Sequence, residues 1–115
     1  MATGTIKTNA LQSFTPTWGT MVTNASDVSC YKYGNIVNID ATLTITATTA
    51  KSISGLFTVP QGYRPVGVTF MVAIDNTNDL FLNCSIGATG SCNAYRNHST
   101  SMSTIRFHAM YLTNE

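Results

Sequence analysis

Apolar residues fall on every second position from Val37 to Ala47: Val37, Ile39, Ala41, Leu43, Ile45 and Ala47, with Asn38, Asp40, Thr42, Thr44 and Thr46 between them. Successive side chains of a strand point to opposite faces, so this spacing predicts a strand with one face in a core and the other toward water or a partner. Gly34-Asn35 ahead of it signals a turn, and Val28 to Tyr33 reads as the first arm of that hairpin. A second alternation sets Val66, Val68, Phe70, Val72 and Ile74 on one face and Gly67, Thr69, Met71 and Ala73 on the other. It ends in Asp75-Asn76-Thr77-Asn78-Asp79, a loop of turn formers. Leu80, Leu82, Cys84 and Ile86 give a third strand, with Ser91 to Tyr95 returning beside it after Gly87-Ala88-Thr89-Gly90. Ile105, Phe107, Ala109 and Tyr111 make the last strand, with Arg106, His108 and Met110 on its other face.

Elsewhere the pattern is looser. Phe14, Trp18, Met21 and Val22 are scattered anchors broken by Pro16 and Gly19, and Ser52 to Val59 is a less regular strand. In Gln61-Gly62-Tyr63-Arg64-Pro65, with Pro60 before it, two prolines restrict the backbone to a turn. The expectation is an all-β domain of about seven or eight short strands, an antiparallel two-sheet β-sandwich or jelly roll. Residues 1–13 read as a polar N-terminal arm or linker and residues 14–115 as the β-sandwich domain.

Composition supports this reading and removes several functions. The chain has 115 residues, enough for one core and not for two. Only 10% of them are charged, and the polar remainder is rich in Thr, Ser and Asn, which suit strands and turns. The formal net charge is +1 and the six basic residues are dispersed, so the electrostatic footprint of a nucleic-acid binder is missing. No segment has the apolar length of a membrane span or a signal peptide, so the expectation is cytosolic synthesis without membrane insertion. A surface this poor in charge also leaves little to keep copies apart, which favours an oligomer.

The three cysteines, Cys30, Cys84 and Cys92, are an odd set without a CxxC pair, and the two histidines lie far from Cys30. Reduced, packed thiols are therefore favoured over a bridge between Cys84 and Cys92, and no metal or other cofactor is expected.

Trp18 stands upstream of Tyr31-Lys32-Tyr33-Gly34-Asn35-Ile36-Val37. Val59-Pro60-Gln61-Gly62-Tyr63-Arg64-Pro65 follows, and Ile105-Arg106-Phe107-His108-Ala109-Met110-Tyr111 closes the chain. In this order the segments resemble the C-terminal head domains of phage tail receptor-binding proteins and tail-fibre tips, with Val59 where a leucine is usual. The resemblance implies a trimeric head at the tail tip of a virion, synthesised in the host cytoplasm. It would contact other phage tail proteins and bind bacterial cell-surface carbohydrate.

Catalysis finds little support. The serines lie in polar loops without a Gly-x-Ser-x-Gly elbow, and the acidic set is only Asp27, Asp40, Asp75, Asp79 and Glu115. No catalytic residue is assigned. Saccharide binding needs an aromatic face and planar groups that bond hydroxyls. Two loop clusters offer these: Asp75, Asn76, Asn78 and Asp79 in one, and Tyr95, Arg96, Asn97 and His98 in the other. If Leu80 to Tyr95 is a hairpin, both emerge at the same end of the sheet. Trp18 is a further candidate platform, although a lone Trp in an extended segment more often anchors it. The competing expectations are a structural trimerisation or capping knob without a ligand, and a carbohydrate-active enzyme.

Overall fold

The structure is a computed structural model that describes residues 11–115. The first ten residues of the expected arm lie outside the described part, and its remainder, Leu11–Ser13, is a strand. The described residues form nine strands and no helix: β1 Leu11–Ser13, β2 Thr17–Trp18, β3 Val22–Tyr33, β4 Ile36–Thr48, β5 Ser52–Thr58, β6 Thr69–Asp75, β7 Leu80–Ile86, β8 Ser91–Tyr95 and β9 Met102–Leu112. The strands beyond the expected seven or eight are the two shortest, too brief to show a period.

All nine belong to one antiparallel sheet in the order β1-β3-β4-β9-β6-β7-β8-β5-β2. Its two edge strands, β1 and β2, are consecutive in the chain. The four steps from Ser13 to Thr17 span at most about 14 Å, so the sheet must curl until its edges nearly meet. The curl presses its inner face onto itself: the Phe57 ring of β5 meets the Phe107 ring of β9 edge-on, with centroids 5.0 Å apart.

The inner face is the core. Val37, Ile39, Ala41, Leu43 and Ile45 of β4 are all buried, as the alternation predicts, while Ala47 is exposed where the β4–β9 register slips between Thr44 and Thr48. Leu56, Phe57, Leu82 and Ile105 are fully buried from other strands, and each such side chain stabilises the fold by about 1.5–3 kcal/mol. The three cysteines are free and buried within this core. Burial pushes the Cys84 thiol up to about 11 and Cys92 higher still, so both stay protonated and inert.

In β6 the two-residue repeat holds, but the bulkier set points outward. Phe70, Val72 and Ile74 are exposed, whereas Ala73 and Asp75 are buried and Met71 is half-buried. Alternation fixes which residues share a face and not which face is inside; a partner for Asp75 decides that, as described below.

The Gln61 to Pro65 turn is held by the side chain of Glu115. Glu115 Oε1 accepts hydrogen bonds from the backbone N–H groups of Gly62 (2.8 Å) and Arg64 (3.1 Å), which hold its carboxyl below the ordinary range. Tyr63 stacks on Phe14 at 4.2 Å, and Arg64 Nε donates to the Val59 carbonyl oxygen at 3.0 Å within the same chain.

Candidate functional site

The hairpin of β7 and β8 brings the two loop clusters to one end of the sheet, as expected, and there they lock together. Asp75 ends β6 with its side chain inside. Its Oδ1 accepts from the N–H groups of Thr77 (3.0 Å) and Asn78 (3.1 Å), and its Oδ2 from Asn78 Nδ2 (2.8 Å). Arg96 approaches the same Oδ2 through Nη1 at 3.5 Å, and both side chains are buried. The rest of the guanidinium donates to main-chain carbonyls, Nε to Ala50 (2.9 Å) and Nη2 to Thr48 (3.0 Å). A charge pair this deep loses its hydration, so it persists only because nearly every lone pair and proton has a partner. Asp75 and Arg96 thus tie the β6–β7 loop to the β4–β5 and β8–β9 connections.

The other members of the two clusters fall differently. Asn78 is half-buried and also donates to the Ser101 carbonyl oxygen at 3.1 Å. His98 Nδ1 pairs with Thr100 Oγ1 at 2.8 Å, while its Nε2 lies 3.7 Å from Asp75 Oδ2 without a hydrogen bond. Asn76, Asp79, Tyr95 and Asn97 are exposed. Trp18 packs edge-on against Phe57 at 5.8 Å and lines a separate groove of about 560 Å³ with Phe14, Val28 and Tyr31.

A cleft of about 440 Å³ opens on the outer face of the sheet, where β6 and β9 part company. These strands pair only at Ile74↔Arg106 and Asp75↔Ile105. The chain meets β9 again at Val66, whose N–H donates to the Leu112 carbonyl oxygen at 3.3 Å. Between these points Val72 and His108 would be opposite in a continued ladder, and instead they line the gap.

Val72 and Ile74 form the apolar wall, and Asp40, Thr42, Arg106 and His108 come from the adjoining strands β4 and β9. Two further carboxylates close the rim: Asp27 from a bulge in β3 and Asp79 from the β6–β7 loop, with Asn76 beside it. Asp27 (φ 51°) and Asp79 (φ 56°) are the described non-glycine residues with left-handed backbone, a conformation that Asp tolerates better than most. The bulge and the tight loop each turn a carboxylate toward the cleft instead of along the ladder.

Asp40 and His108 face each other across the β4–β9 register, with Oδ1 and Nδ1 2.6 Å apart. Asn38 Nδ2 donates to the other carboxylate oxygen, Oδ2, at 2.8 Å. Partial burial pushes the Asp40 carboxyl up, but the hydrogen bonds from Asn38 and His108, with the charge of His108, outweigh it and hold the carboxyl below its ordinary value. The cleft therefore presents carboxyl groups, of which Asp40 is held in its ionised form, with one guanidinium and one imidazole beside an aliphatic wall. Among the described residues no group of three or more His, Cys, Asp or Glu is arranged to hold a metal ion.

Of the expected saccharide residues, Asn76 and Asp79 line this cleft. Asp27, Asp40, Arg106 and His108 were not singled out as site residues, because they come from three strands, β3, β4 and β9, with only Arg106 and His108 on the same one. The pairing of β4 with β9 sets Asp40 beside His108, and no local signal in the chain marks that pairing. No protein-family model matches the chain, and no curated protein matches it at a significant level.

Proposed function

We propose that this chain is a non-catalytic receptor-binding head of the phage tail type, which recognises bacterial cell-surface saccharide in the cleft between β6 and β9. The observation that carries the reading is the make-up of that cleft. The side chains of Asp40, Asp27, Asp79, Arg106 and His108 match the donors and acceptors of sugar hydroxyls, and Val72 and Ile74 offer an apolar face for a ring. His108 on Oδ1 and Asn38 on Oδ2 fix the orientation of the Asp40 carboxylate, and a lone pair on each oxygen is left for a sugar hydroxyl. The head would sit as a homotrimer at the virion's tail tip among other tail proteins, where many weak sites act together. In the finer fold reading, the two halves of the curled sheet behave as the layers of a sandwich or jelly roll. The two-residue join of β6 to β9 and the Phe57–Phe107 contact support that description.

A structural knob without a ligand is the second reading, favoured by the burial of Asp75 and Arg96 in a load-sharing tie. Calorimetric titration with host cell-wall saccharide separates the two. Saccharide recognition in the cleft requires binding by the unaltered chain and a loss of about tenfold or more for Arg106→Ala or Asp40→Asn, each of which removes a charged hydrogen-bonding group. No binding by the unaltered chain sustains the knob, and turnover of the glycan would make the domain an enzyme.

A further inference from the structure

The outer surface of the sheet divides in two. The half formed by β3, β4 and β9 carries Asp27, Asp40, Arg106 and His108. On the half formed by β6, β7, β8 and β5, cross-strand register puts Phe70, Val72 and Ile74 beside Ser85, Asn83 and Phe81. Asn93 and Tyr95 then follow on β8, opposite Ser85 and Asn83, and Ser52 on β5, opposite Tyr95. Not one of these outward residues is charged. Phe70 is 80% exposed and Phe81 74% exposed, both on a regular strand.

We infer that this uncharged face is where copies of the chain pack on one another, turned toward the axis of the assembly. The inference rests on the assembly part of the function proposed above and not on saccharide binding. Three observations carry it. The first is area: a phenylalanine side chain offers about 150–250 Å², so the two exposed rings, with half-exposed Val72, Ile74 and Tyr95, present roughly 500 Å² of contiguous apolar surface. That is as large as the biggest patch on an ordinary monomer, and the polar groups around it bring the face near the roughly 800 Å² per partner of a stable interface.

The second observation is charge. A face turned to a symmetry axis meets copies of itself, so any charge on it would be repeated at close quarters. The outward strand residues of this face carry no charge, and the exposed charges nearest to it, Lys51 and Asp79, lie just beyond the strand ends. The third is the polar complement: Asn83, Ser85 and Asn93 each donate and accept, and so can pair with their own kind. A charged partner would find no complement here. Val72 and Ile74 also wall the cleft, so the cleft opens along one border of the face.

Sedimentation velocity over a range of concentrations tests the inference. The unaltered chain should sediment as a multiple of 12.4 kDa and dissociate on dilution. The exposed double variant F70S/F81S should sediment as a monomer at the same concentrations with an unchanged thermal transition. Asn83→Lys, which would set like charges face to face, should weaken association about tenfold or more. A monomeric unaltered chain, or a double variant that associates as strongly as the unaltered one, overturns the inference. So does a chain that is monomeric in solution yet floats with phosphatidylcholine vesicles through the two rings, which would make the face a lipid contact. Saccharide titration of the monomeric double variant reads the cleft by itself, because its lining is untouched. A failure of assembly is thereby distinguished from a failure of saccharide recognition.

Discussion

At the scale of single residues, two carboxylates show how surroundings assign a task. Asp75 and Asp40 are both preceded by isoleucine at the same strand parity, yet one is sealed in the interior with Arg96 and the other lies at the rim of an open cleft with His108. Asp75→Ala would leave the Arg96 guanidinium buried without its counter-charge. It should cost about 3–5 kcal/mol in urea unfolding, whereas the paired replacement D75L/R96M should cost markedly less. Equal losses for both would mean that the ion pair is not what the site needs. Asp40 responds to pH with a definite sign. Its folded carboxyl is held below the unfolded value, so its contribution to stability is present above the unfolded value and is lost as pH falls through the folded one. His108→Ala should move the Asp40 titration, followed by NMR of the side-chain carboxyl, back toward its ordinary position and flatten that acid-side loss.

At the scale of elements, β2 shows how a two-residue strand can hold a sheet edge. Gly19 lies so close to β5 that a Cβ there would come within 2.0 Å of the Gly55 carbonyl oxygen, and its N–H donates to the Leu56 carbonyl oxygen at 2.9 Å. Gly19→Ala should push β2 off β5 at a cost of about 1–3 kcal/mol. Because the chain has one tryptophan, the displacement of Trp18 from Phe57 is readable as a red shift of its emission. An unshifted spectrum would contradict the tight β2–β5 contact.

How much of this was legible follows the same physics. The period of β4 was plain because five successive inward positions are apolar, and the β3–β4 and β7–β8 hairpins were marked by Gly34-Asn35 and by Gly87 to Gly90. The facing of β6 was not, since Phe70, Val72 and Ile74 are more apolar than Met71, Ala73 and Asp75, and only the tertiary pairing of Asp75 with Arg96 settles the register. The meeting of the two loop clusters was legible from the β7–β8 hairpin. The cleft was not, because it arises from the parting of two strands that are neighbours only in the folded sheet.

For the whole molecule, the curl of one sheet creates three regions from nine strands: a closed apolar interior, a charged outer half with a cleft and an uncharged outer half. The first follows from burial, and the other two give the domain its proposed work of recognition and assembly. The most direct test of that work is an amide ¹H–¹⁵N map recorded while host cell-wall saccharide is added. Recognition in the cleft requires saturable shifts grouped on Asp27, Asp40, Thr42, Asn76, Arg106 and His108. An unmoved spectrum, or shifts confined to Tyr95 to His98 or to Trp18, would contradict it.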